Sequence, residues 1–139
     1  ILPSNISWTK NNIANTDYIV TSQPLYTDDL NIPFKKMYMG STFSDIDIDL
    51  EENQQKVKEQ RDTLLEMFRD SNIKGVLSGD HHKSSIKVDP INNNLSHYIF
   101  GSISSDLNGL PQSLIQSPRF SVIKLYDNGK LQVEDIEIL

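Results

Sequence analysis

The sequence contains no cysteine at all. That removes disulfide scaffolds, thiolate zinc sites and cysteine nucleophiles together. It has little glycine and little proline, 6 of each in 139 residues, so it is neither collagenous nor a low-complexity linker. Positive charge is also short, with 13 Lys+Arg against 19 Asp+Glu and a formal net charge of −6. Non-specific nucleic-acid binding needs a basic surface, and Lys35-Lys36 is too short to supply one. No apolar run approaches the roughly 20 residues that span a bilayer, so the segment carries no membrane span. The first residues lack a signal-peptide pattern. Localisation is left open, and a secretory route requires that an upstream signal has been removed. Asn5-Ile6-Ser7 and Asn94-Leu95-Ser96 would be glycosylation sequons on that route.

What is present reads as alternating strands and a helix. Val57, Leu64, Leu65 and Phe68 fall on one helical face while Lys56, Lys58, Glu59 and Asp62 face away, which predicts a helix over 51–70. Acidic Asp49, Glu51 and Glu52 suit its amino end, and Ser71-Asn72 ends it. Residues 73–79 read as a buried strand, and 17–22 as a β-branched strand stopped before Pro24. A weaker helix over 7–14 is expected to use Trp8 and Ile13 as its apolar contacts. Residues 25–49 read as a long loop with room for a turn of helix. Phe34, Tyr38 and Phe43 are expected in core packing or a disordered loop, the alternative being that they cover the cleft or pack on a partner. Strands over 84–89 and 97–101 flank the polar turn Asn92-Asn93-Asn94, and His97 is expected to be structural.

The chain closes in a hairpin, 119–126 and 130–139, about Asp127-Asn128-Gly129, where Asn-Gly predicts a type I′ turn. Leu131 and Val133 share one parity and Ile136 and Ile138 the other, which predicts a β-bulge at Glu134-Asp135. The first strand–helix–strand unit is expected to join parallel strands by a right-handed crossover. Chemistry then belongs at the carboxyl ends of those strands, near Ser22-Gln23-Pro24 and Gly79-Asp80-His81-His82. Asp and His are ligands for Zn, Mn or Fe, which makes Asp80, His81 and His82 the metal candidates and Ser22, Gln23 and Gly79 the site edge. The acidic run from Asp45 to Glu52 reads as a solvated lead-in to the helix. Neither a nucleophile elbow nor a phosphate-cradling Gly-rich loop occurs.

Read in order, Tyr18-Ile19-Val20-Thr21-Ser22-Gln23-Pro24-Leu25-Tyr26, the helix through Phe68, Ile73-Lys74-Gly75-Val76-Leu77-Ser78-Gly79-Asp80-His81-His82, Tyr98-Ile99-Phe100-Gly101-Ser102 and the terminal hairpin resemble the C-terminal half of a calcineurin-like metallophosphoesterase, of the purple acid phosphatase kind. The resemblance implies an α/β fold, the C-terminal half of an α/β/β/α sandwich, with a mixed sheet ending in an antiparallel hairpin. It makes 1–139 a single segment of a larger domain. Of the ligands the family places in this half, His82 matches, Asp80 stands in for one imidazole, and Ser22 replaces another; a one-residue slip would exchange His81 and His82. Two-metal phosphoester hydrolysis holds its ions about 3.5–4 Å apart, and Asp80, His81 and His82 alone cannot fill two coordination spheres.

The expectation is therefore an eroded centre, holding one or two divalent transition metals or none, in a non-catalytic binding or scaffolding module. Its alternative is the C-terminal part of an active phosphohydrolase whose other ligands lie in an N-terminal half; the isolated chain is expected to be inactive. That half, or a protein partner, would cover the exposed sheet, and a phosphoester would be the ligand. The remaining alternative is an unrelated α/β domain, in which strands 17–22 and 73–79 would not be neighbours.

Overall fold

A computed structural model describes residues 3–26, 52–79, 84–101 and 116–138. Its first element is helix α1 (Pro3–Asn12), which tightens into a 3-10 turn over Ile13–Asn15. Strand β1 (Tyr18–Thr21) follows, then helix α2 (Glu52–Arg69) and strand β2 (Gly75–Ser78). Strands β3 (Ser85–Val88) and β4 (Ser96–Ile99) come next, and β5 (Arg119–Leu125) and β6 (Leu131–Glu137) form the terminal hairpin.

The first four strands make one mixed sheet in the order β1-β2-β4-β3, and the hairpin is a separate two-stranded sheet. Strands β1, β2 and β4 are parallel, with Ile19, Val76 and His97 in one row across the sheet. Strand β3 runs antiparallel to β4. The 17–22 and 73–79 segments are thus neighbours, as a strand–helix–strand unit requires; such units occur across α/β folds.

Helix α2 turns the expected face inward. Leu64, Leu65 and Phe68 are buried with Ile73, Val76, Leu95 and Leu25 in one cluster. The helix stops where the Ser71 hydroxyl donates to the Phe68 carbonyl at 2.8 Å. Burying a side chain the size of Phe68 or Leu64 contributes about 1.5–3 kcal/mol.

Helix α1 meets one of its two expected contacts, Ile13, and not the other. Ile6 and Ile13, seven residues apart and so on one face, pack against the core. Trp8 lies two positions from Ile6, off that face, and is 67% exposed. On the opposite side of the sheet, Gly75 permits a close approach that a side chain would block. A Cβ there would come 2.9 Å from the Tyr98 ring and 3.0 Å from that of Tyr18.

The hairpin corrects two further expectations. Its pairing is continuous from Arg119↔Glu137 to Leu125↔Leu131, with no bulge at Glu134-Asp135. The change of apolar parity instead reflects which end of each face is half-buried. The irregularity sits in the turn: Gly129 has φ +76 and donates its N–H to the Tyr126 carbonyl at 2.8 Å. The connection is therefore centred on Asp127-Asn128 with a left-handed Gly129 after it, and is not a two-residue type I′ turn. The Tyr18 hydroxyl donates to the Gly129 carbonyl at 2.9 Å, tying this tip to β1. Beside it, Lys74 and Asp17 pair at 2.8 Å.

Candidate functional site

The parallel strands bring Ser22, Gly79 and Phe100-Gly101 to one edge of the sheet, at the carboxyl ends of β1, β2 and β4. The Gly79 N–H donates to the Ser22 carbonyl at 3.3 Å. The Thr21 hydroxyl donates to the Gln23 carbonyl at 2.8 Å, which turns the chain so that Pro24 and Leu25 enter the core. Ser22 itself is exposed. Ser22, Gln23 and Gly79 therefore lie together just beyond the carboxyl ends of β1 and β2. The metal candidates Asp80, His81 and His82 lie outside the described residues, as do Lys35, Lys36, Phe34, Tyr38, Phe43 and the acidic run from Asp45 to Asp49. Gly79 and Ser84, which flank the histidine pair, are both described.

A polar network that the sequence did not suggest closes the same edge near β4. Gly101 donates its N–H to the Ser84 hydroxyl at 2.9 Å. Gln116 brackets Ser84, accepting its N–H at 2.7 Å and donating to its carbonyl at 3.3 Å. At the base of the hairpin, Arg119 pairs with Asp135 at 3.0 Å and the Ser121 hydroxyl donates to Asp135 at 2.8 Å. Burial pushes the Asp135 carboxyl up, but hydrogen bonds from Arg119, Ser121 and Ser84 outweigh it and hold the group below its usual range. Arg119 is committed to this carboxylate. These residues are scattered from 84 to 135, and no spacing marks them.

The third histidine belongs to a different place. His97 is 2% exposed, on β4 opposite Val76, on the face covered by α2. Its Nε2 lies 2.9 Å from Asp89 Oδ2. A carboxylate only accepts, so Nε2 carries the proton and Nδ1 the lone pair. Asp89, fully buried, also accepts from Arg69 Nε at 2.9 Å and from the backbone N–H groups of Ile91 and Asn92. Burial raises the Asp89 pKa, but Arg69, His97 and the two backbone donors lower it more, to about 2. Burial dominates at His97 and lowers its pKa, so the ring is neutral despite its carboxylate partner. The ring packs against Tyr26 with centroids 5.2 Å apart. His97 is thus the structural histidine anticipated for it.

The described edge residues do not fit a transition-metal centre. Ser22 offers a hydroxyl, Gln23 an amide and Gly79 only backbone, and neutral oxygens of this kind bind Zn, Mn or Fe weakly without imidazole or carboxylate beside them. No group of three or more His, Asp or Glu able to hold a metal ion occurs among the described residues. What these groups can do is exchange hydrogen bonds with a polar ligand. No helix among the described residues is long and apolar enough to cross a membrane. No protein-family model, curated protein or solved structure matches the chain.

Proposed function

We propose that the chain is a metallophosphoesterase-like domain with an eroded metal site, serving as a non-catalytic binding or scaffolding module. The observation that supports this most is Ser22: an exposed hydroxyl stands at the end of β1, beside Gly79, where the resemblance calls for an imidazole. Losing that ligand is hard to reconcile with a site that must hold two ions and a bound hydroxide. The exposed apolar side chains Val20, Ile86 and Val88 fit a module that covers part of its sheet with a partner.

The test loads the full-length protein with Zn, Mn or Fe, desalts it, and measures bound metal together with hydrolysis of bis(p-nitrophenyl) phosphate. The expected result is substoichiometric metal and no turnover, with metal affinity gained when Ser22→His and Asp80→His are combined. Stoichiometric metal and hydrolysis in the unaltered chain, both lost in His82→Ala, would establish the active phosphohydrolase reading in its place.

A further inference from the structure

The two edges of the four-stranded sheet are not protected alike. Strand β3 carries Lys87 in its middle and is followed by Pro90, both of which discourage pairing with another strand. Strand β1 reads Tyr-Ile-Val-Thr, with no charge, no proline and no irregularity. Its hydrogen-bonding pattern follows from its neighbour. Gly75 donates its N–H to the Asp17 carbonyl, and in a parallel ladder alternate residues serve one side. The backbone groups of Asp17, Ile19 and Thr21 therefore face β2, and those of Tyr18 and Val20 face outward. These outward groups have no partner among the described residues. Val20 is 80% exposed.

Alongside this edge, between β1 and α1, lies a cavity of about 340 Å³ whose lining mixes Trp8, Ile13, Ile19, Leu64 and Phe68 with Asn12 and three threonines and holds no charged side chain. A strand added beside β1 would run about 4.8 Å away. Every second side chain would then enter this cavity beneath Trp8, and the alternate ones would lie beside Val20.

From this juxtaposition we infer that the open edge of β1 is a docking site for an extended, uncharged β-strand of a partner polypeptide, held by the backbone of Tyr18 and Val20 and by an apolar side chain inserted under Trp8. The complementarity is of backbone dipoles and uncharged walls, so the partner strand is recognised by β-branched or aromatic residues at alternate positions and not by charge. The inference rests on the β1 edge and not on the chemistry at Ser22, so the two readings fail independently.

A Lys-capped peptide alternating Val and Thr is the probe. In the unaltered chain it should slow hydrogen exchange at the Tyr18 and Val20 amides while leaving the β3 amides unchanged. The same peptide with a central proline should have no effect. Val20→Pro removes only an outward N–H and should weaken binding about tenfold or more, the worth of roughly one hydrogen bond. Trp8→Ala, at an exposed side chain, should weaken it several-fold and serves if the proline variant does not fold. Three outcomes would overturn the inference: unchanged exchange at Tyr18 and Val20 with millimolar peptide, protection at β3 instead, or a peptide-free dimer abolished by Val20→Pro, which would assign the edge to a second copy.

Discussion

Two groups of polar residues sit on the same sheet and could hardly differ more. At Arg69, Asp89 and His97 a carboxylate with no exposure is surrounded by donors from α2, β4 and its own loop. At Ser22, Gln23 and Gly79 the groups are neutral, exposed at Ser22 and half-buried at the other two, and bonded mainly through the backbone. The first arrangement is worth having only when complete, because a buried charge without its partners is expensive. The second can lose or gain a side chain at little cost.

The sharpest way to break this contrast is to remove one carboxylate. Asp89→Ala should cost about 3–5 kcal/mol, because it strands Arg69, the His97 Nε2–H and two backbone donors. Urea unfolding at neutral pH measures it, and a loss under 1 kcal/mol would show that the cluster is not needed.

Acid titrates the same cluster more gently. The Asp89 pKa is lowered from 3.8 to about 2 in the folded chain, so the unfolded chain binds its proton first. The resulting stability, about 2 kcal/mol, is fully present above pH 4 and is lost as pH falls through 2. His97 acts at higher pH: its lowered folded pKa means that stability also falls as pH drops below 6.5, the value in the unfolded chain. Denaturant midpoints across this range should therefore decline in two stages, and His97→Gln should remove the upper one.

Gly129→Ala should cost about 1–2 kcal/mol, since Ala is strained at φ +76 and its Cβ would press on Lys74 Nζ at 2.8 Å. A lowered thermal midpoint with retained secondary structure checks this. Ser22→Ala marks the other end of the scale. It should change stability by no more than about 0.5 kcal/mol, and a larger effect in the same unfolding assay would mean that the carboxyl edge is as tightly built as the buried cluster.

How much of this was legible beforehand follows from what each feature depends on. Helix α2 and strands β1 and β2 are written in local periodicity and in the stop signals at Ser71 and Pro24, so their places were readable. The edge formed by Ser22, Gln23 and Gly79 followed from a parallel pairing that the strand–helix–strand order demands. In α1 the contact at Ile13 was legible, but a short polar helix gives several possible inward faces, and only packing selects Ile6 over Trp8 beside it. The hairpin's parity change was read as a bulge because sequence parity cannot say which half of a face is covered. The Arg69–Asp89–His97 cluster was invisible because its members meet only after three elements have packed.

The bond between Tyr18 and Gly129 joins residues 111 positions apart. A tie over that separation carries a large loop-closure entropy, while the β5-β6 turn beneath it closes locally. The hairpin should accordingly form early as an isolated ribbon and dock last, when β1 is already in place. In reverse, its undocking would release the chain's final strands while the α2-covered sheet stays shut. Amide exchange would register this as two populations of protection, and a protease would find the C-terminal ribbon before it found the core.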